Sequence, residues 1–194
     1  MTKTAESTRW PTREEAWDLV TGSTQSESLR RHMLAVEAAM RAYATRFGED
    51  PERWAVAGLL HDWDYEQNPT LDKHPTVGIE ELRRQGYAEE LLTDIASHAD
   101  YLGVPRDTPR RRALFAVDEL TGFLTACALV KGRSLGAVEA RSVRKKMKDK
   151  AFARNVKRED LTQGAEVLGV DFDEHVEFVR DAMITIAPEL GLTA

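Results

Sequence analysis

One cysteine, Cys127, in 194 residues excludes an internal disulfide framework and fits a reducing compartment. It lies in the apolar run Ala113–Val130, which predicts a small core side chain and not a reactive thiol. Asp118 and Glu119 interrupt that run, and no other run approaches the ~20 apolar residues of a membrane span. The N-terminus carries Glu6 and Arg9 and no apolar stretch of the kind that opens a secreted chain. These absences predict a cytoplasmic protein without a membrane partner. Aromatic residues are scarce, at 7%, and the net charge is -6, which disfavours nucleic acid as a partner. Alternating strand patterns and Asn-Gly hairpin signals are missing as well. What remains is 42% apolar and 31% charged over 194 residues, the composition and length of one folded domain.

The pattern that is present is helical. Thr12 and Glu15 have the spacing of a capping box, which predicts a helix over about 13–20 ended by Gly22. Leu29, Met33, Val36, Met40, Tyr43 and Phe47 recur at intervals of three and four, the single apolar face of a helix over about 27–47. Asp50-Pro51, His74-Pro75 and Thr108-Pro109 each read as a cap followed by proline at the first helical position, where the missing N–H has no intrahelical partner. They predict helices over about 51–61, 75–85 and 109–131. Further helices are predicted over 88–98, 138–148, 158–168 and 171–186, the last from the Asp171/Glu174 spacing. The fold class is all-α. Gly132–Gly136 divides the single domain into a part over about 27–131 and a C-terminal helical part over about 137–190.

Chemistry concentrates in Ala57-Gly58-Leu59-Leu60-His61-Asp62, an apolar helical run ending on an adjacent His-Asp pair. An imidazole and a carboxylate side by side can ligate one divalent cation, and a carboxylate at the inner end of a packed helix needs positive charge beside it. His32 precedes the pair, and His74, His98 and Asp118 follow it. Each has a structural reading of its own. His32 reads as a mid-helix core or surface residue, His74 as a cap, His98 as a helix-end residue and Asp118 as solvent-facing beside Glu119. Together these readings require four of the five histidines to fall around one His-Asp pair by accident. His175, in the acidic stretch from Asp171 to Glu177, is expected at the surface.

The ordered set resembles the HD superfamily of metal-dependent phosphohydrolases, whose core is His … His-Asp … Asp on a helical bundle. That core maps onto His32, His61-Asp62 and Asp118. His74-Pro75-Thr76-Val77-Gly78 and Ile95-Ala96-Ser97-His98 resemble the segments that bind a second metal in the HDIG-like branch. The resemblance covers roughly 29–123 and implies an HD-domain bundle with additional C-terminal helices. The metal ligands it implies are His32, His61, Asp62, His74, His98 and Asp118. Trp63-Asp64 replaces the Ile-Gly of that branch. Relatives use an acidic residue shortly after the pair in catalysis, so Asp64 and Glu66 are candidates beside Asp62. The implied cofactor is one or two divalent ions among Mn, Fe, Co, Ni and Zn. A bound cation supplies hydroxide near neutral pH, and Asp64 would orient the water. The implied activity is hydrolysis of a phosphomonoester or phosphodiester, nucleotides included. The alternatives are a di-iron oxygenase on the same scaffold and a metal-stabilised regulatory module without turnover.

The second charged feature runs from Arg141 to Arg158, with nine basic residues and one acidic, a local charge of +8 (9 − 1). One reading is a solvated face. The other is an anion-binding rim for a phosphorylated small molecule. Lys150 and Arg154 flank Ala151-Phe152-Ala153, an apolar patch able to anchor the segment, and are the expected substrate-binding residues.

Overall fold

The computed structural model describes residues 8–194. Glu6, part of the N-terminal stretch read above, lies outside the described residues. Among the described residues the helices are α1 (Arg13–Ser23), α2 (Glu27–Phe47), α3 (Pro51–Leu60), α4 (Thr76–Arg84), α5 (Glu89–Ala96), α6 (Pro109–Leu129), α7 (Ala140–Met147), α8 (Arg158–Leu168) and α9 (Phe172–Ile184). No strand occurs among them, only an isolated parallel bridge between Ser134 and Thr193. The fold is all-α, as the pattern predicts. No helix among the described residues is long and apolar enough to cross a membrane.

Local signals explain most of the helix starts. Thr12 and Glu15 make both halves of the capping box. Asp50 and Thr108 cap α3 and α6 through side-chain oxygens, each ahead of its proline. Asp171 caps α9 by accepting from the amides of Asp173 and Glu174. Two ends depart from expectation. α1 continues through Gly22 to Ser23, because the Ser23 hydroxyl reaches across the fold to the Trp63 carbonyl at 2.6 Å and holds the last turn in place. α4 begins at Thr76, and Pro75 occupies the cap position with no side-chain hydrogen bond. His74 is therefore not a cap, and its ring turns into the interior.

α2 is the axis. It packs along α3, α6 and α9 and buries Met33, Val36, Met40 and Tyr43 of the predicted face. Gly58 permits the close crossing of α2 and α3, since a Cβ there would lie 3.1 Å from the Val36 carbonyl oxygen. Two apolar clusters form on either side of this axis. One gathers α2, α6, α7, α8 and α9, with Phe123, Leu124, Leu161, Val176 and Met183 at its centre. The other gathers α1, α3, α4 and α5 around Leu59, Leu60, Leu82, Leu91 and Ile95, with Met33 from α2. Leu135, inside the glycine-flanked turn, and Val138, just after it, are buried in the first cluster. The C-terminal helices thus share a core with α2 and α6. Cys127 is buried there, and burial pushes its thiol up to about 11, as its apolar neighbours predict.

His175 is a correction. It is fully buried, because the acidic residues around it in sequence lie on the outer side of α9 while its ring faces inward. Its Nε2 lies 3.0 Å from the Ala116 carbonyl oxygen, and its Nδ1 lies 2.6 Å from the Tyr43 hydroxyl. A carbonyl only accepts, so Nε2 carries the proton, and Tyr43 donates to Nδ1. One ring thereby ties α2, α6 and α9 together. Burial drives it down to about 4.

Candidate metal centre

Two of the site histidines sit where helices run out. α3 ends at Leu60 and α5 at Ala96, leaving last-turn carbonyls without intrahelical partners. His61 Nδ1 donates to the Gly58 carbonyl at 2.7 Å, and His98 Nδ1 donates to the Ile95 carbonyl at 2.6 Å. The bond engages a helix-end carbonyl, which for Ile95 is shared with the His98 amide at 3.3 Å, and fixes the ring tautomer, so each Nε2 is left facing the interior with a lone pair. For His98 the helix-end position is therefore compatible with a ring nitrogen free to act as a ligand. The C-terminal ends of two helices also favour positive charge between them. His32 comes from the middle of α2 and Asp118 from α6.

The donor atoms converge. His32 Nε2 lies 3.3 Å from His61 Nε2 and 3.1 Å from Asp118 Oδ1. His61 Nε2 is 3.4 Å from Asp118 Oδ1 and 3.5 Å from Asp62 Oδ2. The other carboxylate oxygen of Asp62 faces a second set: His74 Nε2 at 3.2 Å and His98 Nε2 at 3.6 Å, with those two nitrogens 3.1 Å apart. His32, His61 and Asp62 form one group able to hold a metal ion, and Asp62, His74 and His98 form another. Ligand bonds of about 2.1 Å place neighbouring donors about 3.0 Å apart in an octahedron and about 3.4 Å apart in a tetrahedron. Five of these seven spacings lie in that range, and two of those to Asp62, at 3.5 and 3.6 Å, lie just above it. Imidazole nitrogens that face each other at such distances repel unless a cation lies between them, so the donor set fits a divalent ion.

The charge balance agrees. Among the described residues, no Lys or Arg ion pair involves Asp62 or Asp118; their ion-pair partners are histidines. Asp94 shows what a buried carboxylate otherwise does here: it is fully buried and taken by the guanidinium groups of Arg110 and Arg111. Around the metal-ligand set, burial opposes the charged ring of His61, but the adjacent Asp62 and Asp118 outweigh it and raise the group to about 9. For His74, too, burial is outweighed, here by Asp62 and Asp64, and it is raised to about 9. Asp62 and Asp118 stay low in spite of burial because His61 and its neighbours lie beside them. His98 is lowered, by burial first and then by His61. The centre is a negative site in search of positive charge, met by protons or by metal.

A cavity of about 700 Å³ opens onto the cluster. Its wall includes Tyr65, Leu71, Tyr101 and Phe115, with Asp100, Glu119 and Asp160 as acids and Lys157 as the cation. Burial, Asp118 and Asp160 raise the Glu119 carboxyl to about 7. The Tyr101 hydroxyl donates to the His74 carbonyl, fastening the wall to the site.

All six sequence-derived ligands meet in this place. Asp64 and Glu66 do not line the cavity. Asp64 lies behind His74, accepting from its Nδ1 at 2.8 Å and from the Gly78 amide at 2.9 Å. This corrects the expectation that Asp64 orients water, since both its oxygens are occupied away from the cavity. Glu66 accepts from the amides of Gln25 and Ser26 at the start of α2. Lys150 and Arg154 also stay outside the cavity lining and are exposed. α7 stops at Met147, so no helical face carries these two side chains toward the cavity. The anchor argument holds, with Phe152 packed edge-on to Phe123 at 5.5 Å. Glu119, Lys157, Asp160 and Tyr101 were missed. Glu119 was hidden by its place beside Asp118, Tyr101 follows His98 by three positions without a motif of its own, and Lys157 and Asp160 lie far from the other site residues in sequence.

Neither a curated protein nor a solved structure matches the chain. Residues 29–122 match the family model described as HD domain, a span that contains all six convergent ligands and ends before α7. In that segment the chain is similar to the HD-domain family, whose members include metal-dependent hydrolases.

Proposed function

We propose that the chain is a phosphohydrolase that cleaves a compact phosphomonoester or phosphodiester with the help of two divalent ions. The observation that supports this most is the division of the Asp62 carboxylate, one oxygen facing His32 and His61 and the other facing His74 and His98. A shared carboxylate between two nitrogen sets suits paired ions a few Å apart. When bound, such ions lower the pKa of a coordinated water and draw charge from a phosphoryl oxygen. His32, His61, Asp62 and Asp118 would hold the first ion, and Asp62, His74 and His98 the second. Tyr65, Leu71, Tyr101 and Phe115 form an apolar wall that limits water around the reacting group. Lys157 supplies positive charge to the substrate side. It is held between Asp100 at 3.8 Å and Asp160 at 3.5 Å. With three acids beside one lysine, the wall favours a substrate of low charge over a triphosphate.

A second reading, oxygen activation by paired iron, draws on the same donors, because four imidazoles with two carboxylates also suit iron. Metal analysis of the purified protein, followed by a panel of phosphorylated metabolites and a parallel oxygen-uptake assay on iron-loaded protein, separates the readings. Phosphate release without oxygen uptake is the expected result. Oxygen uptake without phosphate release would establish the second reading, and tight metal binding with neither activity would indicate a regulatory module.

A further inference from the structure

We propose that Asp64 is a positioning residue that fixes the tautomer of His74 and so creates the second metal position, an inference that rests on the two-metal reading above. The hydrogen bonds leave a single arrangement. Asp64 is buried, with Oδ2 2.9 Å from the Gly78 amide and Oδ1 2.8 Å from His74 Nδ1. An amide N–H only donates and a carboxylate only accepts. His74 Nδ1 therefore carries the ring proton, and its Nε2 presents a lone pair toward Asp62 Oδ1 and His98 Nε2.

The other two rings with fixed tautomers obtain the same result from backbone. His61 uses the Gly58 carbonyl and His98 uses the Ile95 carbonyl, each three residues back at a helix end. His74 precedes α4 and has no spent helix behind it. A side chain must supply the acceptor, and Asp64 does. Its seat exists because residue 78 is glycine. A Cβ there would lie 2.6 Å from Asp64 Cγ and 2.8 Å from the Trp63 indole nitrogen. The Trp63-Asp64 pair and Gly78 are thus one device: the side chains of 63–64 are accommodated by the bare backbone of α4.

The test uses the fact that Asp64→Asn keeps shape and changes donor pattern. Gly78 N–H still needs an acceptor, so the Asn oxygen turns to it and the NH₂ group faces His74 Nδ1. Two donors then oppose each other. The ring relieves this by moving its proton to Nε2, where no lone pair remains for a metal. In titrations of the full-length protein with Mn or Zn, wild type should take up two ions. D64N should take up one, with the first affinity unchanged and the second weakened at least about 100-fold, the upper end for changes behind a metal ligand. Asp64→Ala frees the tautomer without inverting it and should weaken the second ion less, about 10-fold. A purely structural role predicts the reverse order, because Ala loses both hydrogen bonds and opens a void.

Two further measurements keep the test independent of folding and of activity. Long-range ¹H–¹⁵N spectra of the metal-free protein, recorded above the value of about 9 at which the His74 ring becomes neutral, should show His74 protonated at Nδ1 in wild type and at Nε2 in D64N. Gly78→Ala, which pushes Asp64 from its seat, should also cost one ion. Two ions bound to D64N with wild-type affinity, an unchanged tautomer, or greater damage from Ala than from Asn would each overturn the inference while leaving the two-metal reading intact. Fewer than two ions on wild type would overturn the two-metal reading, and the inference with it.

Discussion

His61 and His175 are both fully buried, yet their surroundings stabilise opposite charge states. His175 has its two nitrogens spent on one acceptor and one donor, the Ala116 carbonyl and the Tyr43 hydroxyl. His61 spends Nδ1 on Gly58 and turns Nε2 toward two carboxylates and another imidazole. The first ring is held neutral, driven down to about 4 by burial. The second rises to about 9 against burial, through Asp62 and Asp118. A buried histidine is therefore a ligand candidate not because it is buried but because one nitrogen is left over and acids surround it. The same distinction separates Asp62 and Asp118 from Asp94, whose charge is already answered by two arginines.

The largest effect should come from Asp62→Ala, which removes the carboxylate common to both donor sets. Both ions should be lost, and any hydrolytic activity should fall at least about 100-fold, the scale reached by changes behind a metal ligand alone. Elemental analysis of the variant gives the answer directly. Retention of two ions would show that the two sets are not joined through Asp62.

His175→Ala should do the converse. It opens a void in the core and strands the Tyr43 hydroxyl and the Ala116 carbonyl, a loss of about 3 kcal/mol. Urea unfolding should report that loss while metal content stays at the wild-type value. A variant that keeps its stability and loses metal would move His175 into the functional group.

The pH dependence of stability should carry both signatures, and they have opposite signs. His175 is depressed from 6.5 to about 4, so the unfolded chain takes up a proton first. Its contribution is complete above pH 6.5 and lost as pH falls toward 4, about 3 kcal/mol by linkage. In chelator-treated protein His61 and His74 are raised from 6.5 to about 9. Their contribution is complete below pH 6.5 and lost as pH rises through 9. Metal-free protein should thus be most stable near pH 6.5. Metal loading replaces the protons and should flatten the alkaline limb only. Denaturant titrations with and without chelator measure this, and an alkaline limb indifferent to metal would break the contrast.

The smallest effect is expected for Tyr43→Phe. It leaves His175 Nδ1 without its donor, at about 1 kcal/mol, with metal binding unchanged by the titration used above.

What the sequence by itself determined is what short-range physics can determine. Asp50-Pro51 and Thr108-Pro109 start helices because a cap and its proline act within one turn. The six candidate ligands were legible because their residue types and order suit one chemistry, and Cys127 because its neighbours are apolar. Tertiary structure alone decided the rest. It brought His32 to Asp118 across 86 positions, since only helix packing relates residues so far apart. It put the basic Lys157 in the cavity wall and left Lys150 and Arg154 outside, because charge in sequence carries no direction once α7 has ended. It turned His175 inward, a rotation about the helix axis that acidic neighbours on other faces of α9 do not report. It also seated Asp64 behind His74 instead of before the substrate. That choice depends on the bare backbone of Gly78, fourteen positions away, and on a ring that needs one nitrogen held so that the other is free.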